Sequence, residues 1–399
     1  MSEVWETKEM VDICDLITCG VAKKPEYVDD GIPFLSAKNI KKGQVIWNNH
    51  KYISEKMHSE LTKNNKPLKG DILYTRVGSF GEAAVVEEDV EFSVFVSLTL
   101  IKPKPTYVDK YFLKYFLNSD DVKKIAKNSI SGSGVGNLNV GTVRKFRIPL
   151  PPLPQQKQIV AILDKAFAAI DTAKANAEQN LQNAKELFES YLQNVFENKN
   201  KDWEVKKLGE VAEVTYGFTD KSSEEGDYRY VRITDIDNNG ELEKSNKKYL
   251  KSSEEGLKFL LKDNDIVMAR TGATFAKLLL YKELEPSIFA SYLIRIDFFE
   301  DIENEFYWYF SKSRGYWEQA NNLSSGAAQP HFNGKALKEM IFSYPKSIKK
   351  QKILISEFKI LQNETKKLET IYTQKIADLE EMKKSVLQKA FSGQLNTIN

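Results

Sequence analysis

The sequence predicts an α+β fold with an internal pseudo-two-fold repeat: two globular α/β domains separated by two long antiparallel coiled-coil helices. Three observations predict it. First, the 399-residue chain carries related segments about 195 residues apart. Second, each copy ends in apolar residues at alternating spacings of four and three, the signature of a helix with a partner-seeking seam. Ile159, Leu163, Ala166, Ile170, Ala173, Ala177, Ala184, Leu187 and Tyr191 form the first seam, with Asn180 in its polar slot. Leu354, Phe358, Leu361, Thr365, Leu368, Tyr372, Leu379, Met382 and Val386 form the second, with Lys375 in the matching slot. Third, the first helix leaves one globular part and ends at the other, so the second helix must run back along it.

The elements follow the same order in each half. A Trp-Glu-x-Lys step opens both, at Trp5 and Trp203. Strand-like segments follow at 32–40 and 228–236, each ending in a polar turn with Gly43 or Gly240. Then β-rich runs, Asp71 to Gly78 and Asp265 to Gly272, each deliver an arginine, Arg76 or Arg270, into a glycine-containing loop. Further β-rich sequence covers 92–101 and 288–298, and short helical patterns cover 110–126 and 304–320. Small-residue loops at 129–139 and 324–333 lead to a last strand ending in proline. Prolines 149, 151, 152 and 154 hold an extended connector before the first long helix, whereas the second half has only Pro345 there. These boundaries divide the chain into a globular domain at 1–153, a central helix at 154–198, a second globular domain at 199–346 and a C-terminal helix at 347–399.

The seam spans some 36 residues, or about 54 Å at 1.5 Å per residue. The expected shape is a dumbbell with its chain ends close together. That length exceeds one turn of B-DNA, about 34 Å, so two unlike heads would read a bipartite, non-palindromic site with an unread gap.

Composition and missing motifs exclude several classes. The content is 41% hydrophobic and 29% charged, and no apolar run reaches the roughly 18 residues of a membrane span. Residues 1–10 are polar and acidic, unlike a signal peptide, so a cytoplasmic protein is expected. Cys14 and Cys19 lack the company of a zinc site and read as free thiols. The net charge of +2 is nearly balanced, but 38–76 holds nine Lys/Arg against three Asp/Glu. The stretch 229–270 holds nine against eight. There is no P-loop and no Asn/Asp-Pro-Pro-aromatic motif of an amino-methyltransferase. Glu204-Val205-Lys206 mimics a nuclease Glu-x-Lys step without a partner aspartate, and His50, His58 and His331 are scattered. The chain reads as a binding protein with no catalytic residues, no metal site and no cofactor of its own.

The arrangement resembles the specificity subunit of type I restriction–modification systems over essentially the whole chain. The resemblance rests on the Trp-Glu openings and on Gly70-Asp71-Ile72-Leu73 followed by Arg76 and Gly78. It also rests on the loop 131–139 and on Ile148-Pro149-Leu150-Pro151-Pro152-Leu153-Pro154-Gln155-Gln156 followed by Ile159-Val160. The helix ends, 190–196 and 385–393, agree as well, while Tyr344-Pro345-Lys346 departs from the proline pattern. The resemblance implies that both globular domains are target-recognition domains and both helices spacers. It implies double-stranded DNA, two modification (methyltransferase) subunits and restriction/translocase subunits as partners. S-adenosylmethionine, ATP and Mg are then expected in those partners.

The repeated loops supply the candidate DNA-binding residues, since base edges are read by Arg, Asn, Ser and Thr on presented loops. They are Ser36, Lys38, Asn39, Arg76 and Ser79 in the first half and Arg232, Thr234, Asp235, Arg270 and Thr271 in the second. The helix surfaces carrying Lys165, Lys174, Lys185, Lys366 and Lys383 are the expected docks for partner subunits. The competing expectation is a coiled-coil scaffold whose heads bind other proteins.

Overall fold

A computed structural model describes residues 5–21, 25–78, 80–129, 136–198, 201–237, 239–283, 285–324 and 331–395. The chain forms two compact units. One comprises 1–177 and 374–399, the other 178–373. The division runs through both long helices rather than at their ends, so each unit owns a head and a segment of each helix.

In the first unit a four-stranded antiparallel sheet has the order Cys14–Cys19, Leu98–Pro103, Ile72–Thr75, Ala83–Val85. All four residues of Ile72–Thr75 are buried, as a central strand covered on both faces requires. A second sheet joins Lys51–Ile53, Ile32–Leu35 and Ser93–Val94, the last pair parallel. The opening strand Glu6–Glu9 pairs with Arg147–Leu150 at the connector.

The second unit repeats the plan. Its four-stranded sheet is Ala212–Tyr216, Leu293–Phe298, Ile266–Ala269, Leu278–Leu280. Its mixed sheet joins Tyr249–Leu250, Tyr228–Val231 and Ser287–Phe289. Trp203–Lys207 pairs with Ile341–Pro345.

Two sequence expectations are corrected by side-chain hydrogen bonds. The strand expected over 32–40 stops at Leu35, and the one over 228–236 stops at Val231; a 3-10 turn follows each. The cause is a buried polar side chain. Asn39 and Asp235 accept the backbone N–H of residues 36 and 232, folding the chain back. The helices expected over 110–126 and 304–320 are each broken in two. Ser119 and Ser313 cap new helices by accepting the N–H of Val122 and Tyr316.

The long helices run Leu153–Glu197 and Ile348–Phe391. Within the first unit they pair antiparallel: Lys383 binds Asp171 at 2.7 Å and Lys174 binds Glu380 at 2.5 Å, partner numbers falling as the others rise. Ile159, Leu163, Ile170 and Ala177 are buried as the seam requires. Beyond Ala177 the 4-3 frame holds in part: Ala184 and Phe358 are buried, and Tyr191 and Val386 pack on the cores. Leu187 and Met382 are about half exposed, while Phe188 and Leu387 pack on the cores instead. An α-helix drifts about 20° per heptad against a strict 3.5 repeat, so not every position of a fixed frame stays inside. Asn180 and Lys375, in the polar slots, are both exposed.

Two devices fasten helix to head, and both recur. The first is a buried glutamine. Gln156 is fully buried; its Oε1 accepts the Asp109 N–H, and its Nε2 donates to the carbonyls of Tyr107 and Pro151. Gln351, also fully buried, accepts the Glu303 N–H and donates to the carbonyls of Asp301 and Pro345. The second half therefore keeps the latch although it lacks the proline run. The second device is a phenylalanine from the far end of a long helix. Phe391 packs on Phe112 and Phe116, with ring centroids 5.1 and 5.6 Å away. Phe196 packs on Phe306 and Phe310, both at 5.3 Å. Each head's core is thus completed by helix segments from both halves of the sequence.

Removing the latch leaves one N–H and two carbonyls without their partner; only the proline carbonyl bond is fully buried, and an unpaired buried group costs about 1–3 kcal/mol. Gln351→Leu, and separately Gln156→Leu, is expected to destabilise its unit by about 2–4 kcal/mol. Urea unfolding of the full chain followed by tryptophan fluorescence checks it; an unchanged midpoint would contradict the latch.

Candidate nucleic-acid interface

Two loop segments form the candidate surface in each head, and hydrogen bonds bring them together. One is the 3-10 turn after the first strand of the mixed sheet. The other is the loop after the central strand, carrying Arg76 or Arg270. In the first head, Ser97 joins them: its hydroxyl accepts the Ala37 N–H and its carbonyl accepts the Arg76 N–H. In the second, the Thr274 hydroxyl donates to the Ile233 carbonyl. The glycine after each arginine loop start, Gly78 and Gly272, has φ of 78° and 79°. A side chain is disfavoured there, and the loop turns at the same point in both halves.

The turns divide their residues into holders and presented tips. Asn39 is 3% exposed; besides capping the turn, its Nδ2 donates to the carbonyls of Ile46 and Asn48. Ser36 is half-buried, with N–H and hydroxyl directed to the Asn39 Oδ1. Lys38 is exposed at the tip. The second turn matches it position by position. Asp235 is 3% exposed and paired with Arg232 through two side-chain hydrogen bonds of 3.1 and 2.6 Å. Arg232 also donates to the Asn246 carbonyl and stays partly exposed. Thr234 is the exposed tip.

The two arginines share a backbone setting but not a side-chain setting. Arg76 and Arg270 donate their N–H to the carbonyls of Ser97 and Tyr292, both at 3.0 Å. Their carbonyls accept the N–H of Leu138 and Phe332, both at 2.9 Å. Single bridges, Val77 to Asn137 and Thr271 to His331, continue these contacts to the last loop of each head. The Arg76 side chain is turned inward and its fork is consumed. Nε donates to the Leu138 carbonyl, one terminal nitrogen to the Val96 carbonyl and the other to the Asn137 Oδ1. Arg270 instead has its guanidinium against the rings of Tyr216 and Tyr292, 5.4 and 5.3 Å from their centroids, and is partly exposed. Thr271 is buried. Ser79, and the loop residues 130–135 and 325–330, lie outside the described residues.

Tyr216 and Tyr292 escaped the reading of the sequence. The signal was present in the repeat: their counterparts in the first half are the smaller Cys19 and Ser97. Other features of the heads are structural. Glu204, singled out for its Glu-x-Lys spacing, pairs with Lys206 and Lys346 while Lys206 reaches Glu300. These lysines, chiefly Lys346, hold the Glu204 carboxyl well below its ordinary range, to about 2. Burial pushes the Cys14 thiol up to about 12, and Cys14 and Cys19 are free at opposite ends of one strand. Among the described residues no group of three His, Cys, Asp or Glu could hold a metal ion. Among them, too, no helix is long and apolar enough to cross a membrane. Of the lysines expected to face partners, Lys174, Lys366 and Lys383 are engaged by Glu380, Glu241 and Asp171, whereas Lys165 and Lys185 are exposed.

Comparison with known proteins agrees with this duplicated plan. A putative type I restriction enzyme MjaX specificity subunit of Methanocaldococcus jannaschii is 29% identical over 227 residues, about half (52%) of each chain. The type I restriction enzyme MjaVIII specificity subunit of the same organism is 26% identical over 429 aligned positions, covering 99% of this chain and 94% of that one. A chain solved in a study of assembly and conformational transition of the type I R-M system superimposes with a TM-score of 0.77. It is 16% identical, and the match covers 98% of this chain and 99% of the other. Residues 2–183 and again 200–381 match the family described as Type I restriction modification DNA specificity domain. The chain belongs to that family and carries its domain twice.

Proposed function

We propose that the two heads read the two parts of a bipartite, asymmetric site in double-stranded DNA for a type I restriction–modification complex. The chain is the specificity subunit of such a system and is not itself an enzyme. The family match favours this reading over a coiled-coil scaffold with heads that bind only proteins. Two modification subunits and restriction/translocase subunits are its partners. They supply S-adenosylmethionine, ATP and Mg chemistry, and the complex works in the cytoplasm. Lys165 and Lys185, exposed on the first long helix, remain candidates for docking.

The observation that carries the reading is the repeated pair of loops. In both heads an exposed tip, Lys38 or Thr234, stands beside an arginine loop joined to the same turn, through Ser97 in the first head and directly by Thr274 in the second. Lys38, Ser36, Arg232, Thr234 and Arg270 keep polar atoms near the surface and are proposed to contact DNA. Asn39, Arg76, Asp235 and Thr271 are buried, and we assign them to holding the loops in shape. Ser79 stays a candidate by its place beside Arg76 in sequence.

Adenine methylation of a host expressing the chain with its modification subunit, read by long-read sequencing, tests the function. The expected result is one bipartite, non-palindromic motif. Affinity of that complex for DNA should fall steeply and linearly on a log–log plot against salt, as phosphate contacts require. A protein scaffold would give neither. The division of roles has its own test. Arg76→Ala strands three acceptors and is expected to cost about 2–4 kcal/mol of stability. Arg270→Ala removes two exposed ring contacts and is expected to cost about 1 kcal/mol or less. Thermal melts of the two variants side by side measure the difference, and equal losses would contradict it.

A further inference from the structure

The two halves use one backbone frame to place two different arginines, and the difference lies in what flanks them. Cys19 and Tyr216 each end the edge strand of their four-stranded sheet. Ser97 and Tyr292 each supply the carbonyl that receives the arginine N–H. With the small pair at these positions, Arg76 folds into the head and its fork is spent on protein acceptors. With an aromatic pair, Arg270 stays at the surface against two rings. Among the described residues its guanidinium has no hydrogen-bond acceptor.

The rings are held unequally. The Tyr216 hydroxyl accepts the Gly334 N–H at 2.8 Å, which ties that ring to the head. Tyr292 sits in the short turn before the strand Leu293–Phe298, and its side chain is 54% exposed. One ring is therefore anchored to the head and the other is open to an incoming ligand.

We propose that Tyr216 and Tyr292 are positioning residues that hold Arg270 at the surface as a guanine reader, an assignment that rests on the DNA-reading function above. A guanidinium fork matches two kinds of acceptor pair on DNA: N7 and O6 of guanine in the major groove, and the oxygens of a phosphate. Two observations favour the base. Holding the fork against two rings restricts its orientation, which serves an acceptor pair that is itself planar and fixed, whereas a phosphate accepts from many directions. The surrounding stretch 229–270 is also nearly neutral, nine cations against eight anions, which gives weak general attraction to phosphates. The first head has no such fork to offer, so the two half-sites are read by different chemistry at equivalent places.

The experiment compares Tyr292→Ala, Tyr292→Phe, Arg270→Ala and Arg270→Lys, each in the full chain co-expressed with the modification subunit. Adenine methylation is read genome-wide, and melting temperatures of the purified complexes are recorded. The wild type is expected to show a guanine at one position of the half-site read by the second head. Arg270→Ala, Arg270→Lys and Tyr292→Ala should lose preference at that position by about ten-fold or more, a good bidentate pair being worth about 5- to 150-fold. Tyr292→Phe keeps the ring face and should retain it, and the other half-site should not change in any variant. In the wild-type complex, 7-deazaguanine at that position should weaken binding, and should weaken Arg270→Ala no further. Arg270→Lys keeps the charge and the fold, so a folding failure in one alanine variant does not decide the matter. The proposal is overturned by variants that lower methylation uniformly with the motif intact, which is phosphate binding. It is equally overturned by an unchanged motif in Arg270→Lys and Tyr292→Ala, or by indifference to 7-deazaguanine. A wild-type complex that methylates no bipartite motif overturns the functional reading as well.

Discussion

The burial of one glutamine at the start of each long helix is the constraint on which the rest depends. A primary amide removed completely from water must satisfy both of its ends, since an unpaired buried polar group is costly. Gln156 and Gln351 do so through one N–H and two carbonyls apiece, all from the connector and the cap of the neighbouring head helix. Three hydrogen bonds from one side chain leave the helix little freedom to pivot on its head. The direction in which a helix of more than 40 residues departs is therefore set within its first turn. Apolar packing alone is poorly suited to that task, because it is non-directional.

The aromatic contacts of Phe196 and Phe391 add a second attachment of a different kind. Each inserts into a head from a helix that begins in the other half of the sequence. The glutamine sets direction, and the phenylalanine contributes buried apolar area, worth about 25 cal/mol per Å² removed from water. Because the two devices recur at the same places, the repeat is a repeat of mechanical function as well as of residues. What varies between the halves lies at the rim: Lys38 against Thr234, Ser36 against Arg232, Cys19 against Tyr216, Ser97 against Tyr292. These positions change character while the strands beneath them keep their pairing.

Much of this was legible in the sequence. The duplication, both long helices and the order of elements could be read from spacing alone, because helix periodicity and proline placement act locally. The places where the reading went astray share a cause. Asn39 and Asp235 end strands that their propensities would continue, through hydrogen bonds that no propensity encodes. Leu187 and Met382 keep the heptad frame yet are about half exposed, because helix drift leaves only some positions of that frame inside. Among the site residues, position did not reveal role. Arg76 and Arg270 occupy identical steps in the repeat, and only neighbours brought up from other strands decide which one is spent inside the protein. That decision was visible as small-against-aromatic pairs once the halves were laid side by side, but it needs the sheet order to connect them.

The shared cores carry a consequence for any severed version of the molecule. A chain ending at the linker after Phe196 would keep the first head but lose the segment that packs on Phe112 and Phe116. Its own Phe196 would meanwhile project without a host. A fragment with one vacant socket and one unused plug is self-complementary, and two copies can satisfy each other by exchange. Half of this protein is therefore expected to be either sticky or symmetric, and never a quiet monomer.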